Sequence, residues 1–356
     1  MKTARVSIPI RKIILWAVVI LSVGYIALNL TELESIAEAL SQGHWLFLLL
    51  ALCLALLVLV NNAFTYWALY RLVGIRERRR QFFLLSTAST FVGIIAPSGG
   101  MSSLTLFIDS ARRRKQSTAR VVVVGLLYII YEYASLLLMV LLGMIVLFRR
   151  GNLHAGEVAA ALIMLAFALA IGGILYFGYK SPERLGRILT RLGNFLNKLL
   201  RPVLHRQVVS SEAAVAYAGD IGKGLSALQH SRTNLIRPFL FAMLNKALLC
   251  GVLMSIFLAF AIPFSAGTVI GGFSIGQLFY YISPTPGGVG VVEGLFPVIL
   301  RILNVPYAKA ALVTLVYRLL TLWLTFGIGF FCFRAVQQQS QTALDVPTEE
   351  LSMRNS

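Results

Sequence analysis

The sequence predicts an all-α polytopic membrane protein, with about six full transmembrane helices and two opposed re-entrant broken hairpins. Three observations predict it. Of 356 residues 58% are apolar and 13% charged, with a mean hydropathy of +0.80, well outside the composition of a soluble domain. Apolar segments recur at the length that crosses a bilayer. Two more apolar regions are each interrupted by a proline-glycine run.

The unbroken segments cover 13–30, 45–69, 121–148, 158–179, 238–262 and 307–333. Each can cross the ~30 Å of hydrocarbon as a helix. The first follows Lys2, Arg5, Arg11 and Lys12 but lacks a small-residue cleavage site, so it reads as an uncleaved helix rather than a signal peptide. The interrupted regions are 82–108, broken at Ala96-Pro97-Ser98-Gly99-Gly100, and 266–303, broken at Pro284-Thr285-Pro286-Gly287-Gly288-Val289-Gly290. Neither half of either region makes a full span.

Charge threads these segments. The balance of 32 Lys plus Arg against 14 Asp plus Glu, +18 net, would suggest nucleic acid in a soluble chain. Here it reads as topology, and no nucleic-acid partner is expected. Lys and Arg remain preferentially in cytoplasmic loops. The N-terminus, 71–80, 112–120, 180–237 and the tail hold 26 of them, and the remaining connections hold 4. Both basic clusters flanking 82–108 are therefore cytoplasmic, and that segment must enter and leave by one face. The helix at 238–262 ends outside and the last helix returns inside, so 266–303 enters from the external face. The two hairpins point at each other, and both chain termini are expected in the cytoplasm.

A faint repeat agrees with this threading. Pro97 stands 31 residues before Tyr128 and Pro286 stands 31 before Tyr317. Residues 45–150 and 238–334 then read as inverted repeats inside a membrane domain spanning 1–336, the plan of many transporters. Between the repeats, 180–237 reads as a basic amphipathic linker, with Leu185, Ile188, Leu192 and Phe195 on one side and Arg184, Arg187 and Arg191 on the other. It suits the cytoplasmic headgroup layer, or equally a linker docked on its own protein. The tail at 337–356 is polar and expected to be disordered.

Backbone that leaves helical geometry at membrane depth exposes polar groups, so such breaks usually line a cavity. A half-helix starting there turns its free N–H groups toward the cavity, where they suit an anion such as phosphate. Gly99, Gly100, Pro286, Gly287 and Gly288 shape the tips, and Ser102 and Ser103 are natural caps after the first. Charges within apolar segments are few: Glu132, Lys246, Glu293 and Arg318, with Asp109 ending the first hairpin. Each costs about 2.5–3.5 kcal/mol at a helix centre, which marks it for function. Arg318 reads as the contact for a lipid phosphate and Glu293 as a proton-titrating or amine-binding carboxylate, or the two form a salt bridge that fixes packing. Asp109 reads as a site residue or as an interfacial ion partner of the adjacent basic cluster. Lys246, about two turns into its helix, reads as snorkelling to the cytoplasmic interface.

Other chemistry finds little support. Cys53, Cys250 and Cys332 stand singly, and the four histidines lie outside the apolar segments, so no metal site or membrane-embedded serine-histidine dyad is expected. No Gly-x-x-x-x-Gly-Lys-Ser/Thr run marks an ATP site and no cofactor is expected, which leaves downhill, proton-coupled or potential-driven movement.

The run from Ser283 to Gly294, Ser-Pro-Thr-Pro-Gly-Gly-Val-Gly-Val-Val-Glu-Gly, followed by Tyr317-Arg318, resembles the lysylphosphatidylglycerol synthase transmembrane family, which includes the flippase half of the bacterial multiple peptide resistance factor. The resemblance runs from about Arg11 to Ala335, with Ala96 to Gly100 and Asp109 similar to the first broken motif. It implies a multi-pass bacterial or archaeal membrane protein that moves lipids between leaflets, with Asp109, Glu293 and Arg318 as functional residues; together with the anion-suited tips, the expected partners are cell-membrane lipids with phosphate headgroups. The chain ends about 20 residues after its last helix with no cytosolic aminoacyl-transferase region, so lysyl-lipid synthesis is not expected of it. The alternatives are a membrane scaffold recruiting a separate lipid synthase or glycosyltransferase through 180–237, and a lipid-modifying enzyme built on Glu132 and Glu293.

Overall fold

The computed structural model describes residues 43–95, 101–114, 116–151, 155–181, 235–283 and 285–342, with a few isolated positions between 183 and 219. The expected first helix, the first hairpin tip with Gly99 and Gly100, and most of the 180–237 linker lie outside the described residues. Among the described residues every element is helical: α1 (Trp45–Leu72), α2 (Arg79–Ile95), α3 (Met101–Arg113), α4 (Thr118–Arg149), α5 (Ala155–Lys180), α6 (Ile236–Ala259), α7 (Ala266–Ile282), α8 (Val291–Ile302), α9 (Tyr307–Arg318) and α10 (Leu324–Thr342). A 3₁₀ turn at Pro286–Gly288 precedes α8, and a π turn at Leu319–Trp323 joins α9 to α10. Among the described residues five stretches are long and apolar enough to cross a membrane: Trp45–Leu72, Thr118–Arg149, Ala155–Phe177, Ile236–Ala259 and Tyr307–Gln338. The chain is a multi-pass membrane protein. Their outward sides carry Leu46, Leu49, Leu162, Ile163 and Leu169, apolar residues that face lipid without cost. The expectation of a disordered tail is corrected at its start, since 337–342 continues α10. No glycine or proline interrupts Gln337-Gln338-Gln339, and glutamine is a good helix former.

Polar clamps identify two ends of the bundle. At the first, Arg120 Nη1 donates to the Val73 carbonyl at 3.3 Å, joining the end of α1 to the start of α4. There Arg114 after α3 also pairs with Glu77 before α2 at 2.8 Å, so both mouths of the first hairpin open at this end. At the second, the His44 N–H donates to the Ala259 carbonyl at 2.8 Å. Arg150, following α4, bonds the Leu303 carbonyl at 3.1 Å and Ser265 Oγ at 2.9 Å, fastening both mouths of the second hairpin. Ser265 also caps α7 by accepting from the Thr268 N–H at 3.1 Å. The α2–α3 and α7–α8 hairpins therefore enter from opposite ends.

Their packing is reciprocal. The first arm of each hairpin lies on the long helix that follows the other hairpin, α2 on α10 and α7 on α4, while α1 lies along α6. Small residues permit the approach. A Cβ at Gly329 would lie 2.7 Å from Phe91 Cβ, and one at Gly143 would lie 2.6 Å from Ser274 Cβ. Within the second hairpin, Gly272 and Gly276 seat Leu300 and Phe296 of α8. This is the close helix contact that glycine and serine allow where no hydrophobic drive joins helices. Phe91 completes the α2–α10 seam against Phe326, Phe330 and Phe333.

Candidate functional site

The second hairpin turns at Ser283 to Gly290. Ser283 Oγ lies 2.7 Å from Thr285 Oγ1 and accepts from the Thr285 N–H at 3.2 Å, which stiffens the exit from α7. Gly287 at φ +59° and Gly288 at φ +70° then reverse the chain, a left-handed backbone that disfavours other residues. Space requires glycine as well: a Cβ at Gly287 would lie 2.9 Å from Leu322 Cδ1 and 3.1 Å from Ile94 Cγ2. Ile94 belongs to the last turn of α2, so the second tip is seated against the inner end of the first hairpin.

Arg318, the last residue of α9, holds this tip. Its Nη2 donates to the Gly287 carbonyl at 2.7 Å and its Nε to Glu293 Oε1 at 2.7 Å. Glu293 Oε2 accepts the Gly290 N–H at 2.8 Å, as an acidic residue at the third position of a helix does. The expectation that the start of α8 offers free N–H groups to an anion is corrected at Gly290, whose N–H and the adjacent helix dipole are spent on Glu293. The open choice between Glu293 and Arg318 as partners resolves into an ion pair, with Arg318 4% exposed. Directly after Arg318 the helix widens into the π turn, a feature that often accompanies functional sites.

A second ion pair crosses the bundle. Lys246 of α6 donates to Glu132 Oε2 of α4, and Tyr281 of α7 donates its hydroxyl to the same oxygen at 2.9 Å. Lys246 is 1% exposed and Glu132 6%. Snorkelling of Lys246 is therefore corrected: its stem runs inward because a buried carboxylate meets it there. Asn245 beside it bonds Asn62 of α1 at 2.8 Å.

Two adjoining chambers meet at these groups. The inner one, about 150 Å³, is bordered by Glu132, Lys246 and Arg318 together with Asn62, Gln277 and Tyr317. The tip chamber, about 270 Å³, lies between the hairpins, bordered by Ser89, Gly93 and Ser103 from one and Thr285, Gly287 and Gly288 from the other. Thr90, Ile94, Tyr128, Glu132, Tyr280 and Tyr281 border both. The larger chamber approaches the low end of ligand pockets, about 300 Å³. It has room for a polar headgroup and none for a pair of lipid tails.

Of the residues singled out from sequence, Arg318, Glu132, Gly287 and Gly288, expected at the site, border the chambers, as do Lys246 and Ser103, named for other roles. Glu293 borders neither and reaches the inner one through Arg318, Pro286 is exposed on the outside of the turn, and Asp109 is half-buried on α3 away from both. Ser102 falls inside the first turn of α3, not at its cap. Lys246 stood out from sequence as a charge in an apolar helix but was read as snorkelling; Tyr281 and the paired asparagines were not singled out, although polar residues within apolar helices are a signal that could have found the asparagines. Among the described residues no group of three or more His, Cys, Asp or Glu could hold a metal.

Comparison with known families gives one match, covering residues 13–329, to the family described as Lysylphosphatidylglycerol synthase TM region. The chain belongs to that family. No curated protein matches it.

Proposed function

Taking membership of this family as the premise, we propose that the chain moves a lipid with an anionic, phosphate-bearing headgroup between the leaflets of the cell membrane, acting as a carrier rather than an enzyme. One observation carries the reading: two hairpins from opposite ends of the bundle converge on chambers bordered by buried Arg318 and Lys246. A buried guanidinium and ammonium are natural partners for phosphate. The chamber volumes admit the headgroup alone, so the acyl or prenyl tails remain in the bilayer while the headgroup crosses. The reciprocal packing fits two inverted repeats, 45–150 and 238–334, rocking about a fixed site. The end carrying Arg71 to Arg80 and Arg112 to Arg120 is assigned to the cytoplasm by its charge. A separate synthase or glycosyltransferase supplying the lipid is the partner this role calls for.

The test is translocation of acyl-labelled phosphatidylglycerol in phosphatidylcholine vesicles, read by quenching from outside. Arg318→Ala removes two charge-assisted bonds, each worth about 1.5–3 kcal/mol, and Glu293→Gln weakens one. Both variants insert normally, and each lowers translocation at least about tenfold, since 1.4 kcal/mol is one decade. Normal translocation by both would defeat the assignment of the site.

A further inference from the structure

The four charges of the site cancel. Glu132 is tied to Lys246 and Glu293 to Arg318, so an arriving phosphate finds no unbalanced cation. The two pairs differ in how they can yield. Arg318 uses Nε for Glu293 and Nη2 for the Gly287 carbonyl and keeps further guanidinium N–H donors without partners among the described residues, so it can take a phosphate oxygen and retain Glu293. Glu293 also keeps the Gly290 N–H. Lys246 gives its bond to Glu132, and an anion that takes the ammonium leaves that carboxylate deep in the protein with the Tyr281 hydroxyl alone. A buried carboxylate without its cation neutralises by taking a proton. Glu132 is built to do so. Both of its hydrogen bonds fall on Oε2, Oε1 has no partner among the described residues, and the side chain borders both chambers.

We infer that Glu132 is the proton-coupling group of this site: an anionic headgroup displaces it from Lys246 as one proton binds the carboxylate, so anion and proton cross together. This rests on the carrier reading and names the energy source for it. The step balances. The carboxylate plus a proton from water becomes a neutral carboxyl, the ammonium keeps its proton and exchanges the carboxylate for a phosphate oxygen, and the site stays neutral before and after. The other ionisable groups around Glu132 are Tyr66 of α1, Tyr128 and Tyr133 of its own helix, Lys246 of α6, Tyr280 and Tyr281 of α7, and Arg318 of α9. None of these is a second carboxylate, so among the described lining residues Glu132 alone supplies the proton site. Because the anion-bound state carries one proton more, lower pH favours it.

The test has two readouts. Full-length chain in an uncharged detergent and weak buffer receives phosphatidylglycerol, with phosphatidylcholine as control, while a pH dye counts protons. Wild type takes up about one proton per bound phosphatidylglycerol and none with phosphatidylcholine, and E132Q takes up none. In vesicles, wild-type translocation of acyl-labelled phosphatidylglycerol rises about tenfold per unit fall in pH where one proton is linked, and E132Q gives a flat profile. Proton uptake by E132Q equal to wild type, no uptake by wild type on binding, or a wild-type slope in E132Q overturns the inference. Uptake without translocation would sink the carrier reading and leave the anion–proton site standing. Translocation without uptake would do the reverse, and failure to bind phosphatidylglycerol would sink both.

Discussion

Replacing Lys246 with methionine isolates what the buried charge pair does for the fold. Methionine matches the lysine stem in length and removes the ammonium. Lys246 is 1% exposed and Glu132 6%, so the carboxylate left behind cannot turn to bulk water and keeps the Tyr281 hydroxyl alone. Breaking one side of such a pair costs about 3–5 kcal/mol, whereas replacing both sides with neutral groups of similar volume is often neutral or stabilising. K246M should therefore lower the folded-to-unfolded ratio by roughly two to four decades. E132Q/K246M should return to within about 1 kcal/mol of wild type. Thermal unfolding of the four proteins of this cycle in one detergent, at one pH, gives the coupling directly. The reasoning fails if K246M melts with wild type, since a lysine that had escaped to the interface would behave that way. It fails equally if the double variant loses as much as the two single losses together.

Gly287→Ala forces a left-handed position on alanine and sets its Cβ 2.9 Å from Leu322 Cδ1. The backbone term is about 1–2 kcal/mol and overpacking adds about 1–3 kcal/mol. Thermal unfolding should show the loss, and adding Leu322→Ala should recover the steric share alone. In a chain lacking Cys53, Cys250 and Cys332, cysteines at exposed Arg113 and Lys309 should react with an impermeant maleimide from opposite sides of sealed vesicles. Labelling of both from one side would contradict the opposed hairpins.

The opposed hairpins were legible because two independent signals agreed. Proline and glycine broke two apolar regions, and the basic residues around 82–108 allowed just one threading. Glu293 was legible as an intruding charge, whereas its cap on Gly290 was not read and the helix start was expected to be free. The pairing of Glu132 with Lys246 was not legible, because 114 residues separate them and their meeting depends on how α4, α6 and α7 turn about their axes. Hydropathy says nothing of that rotation. Arg150 is a similar case: from sequence it is one more charge in a connection, whereas its fork fastens a hairpin mouth. The π turn left no trace, since Leu319 to Trp323 contains neither proline nor glycine.

That turn governs aim. A widened turn accommodates one residue more than a regular one, and a residue subtends about 100° of helix circumference. With a uniform helix from Tyr307 to Thr342, Arg318 would point at the second tip or the Phe326, Phe330 and Phe333 ladder would grip Phe91, but the two could not hold together. Excising a single leucine from Leu319-Leu320 should swing the guanidinium away from the Gly287 carbonyl with every side chain of the site still present, separating orientation from composition as the source of the activity.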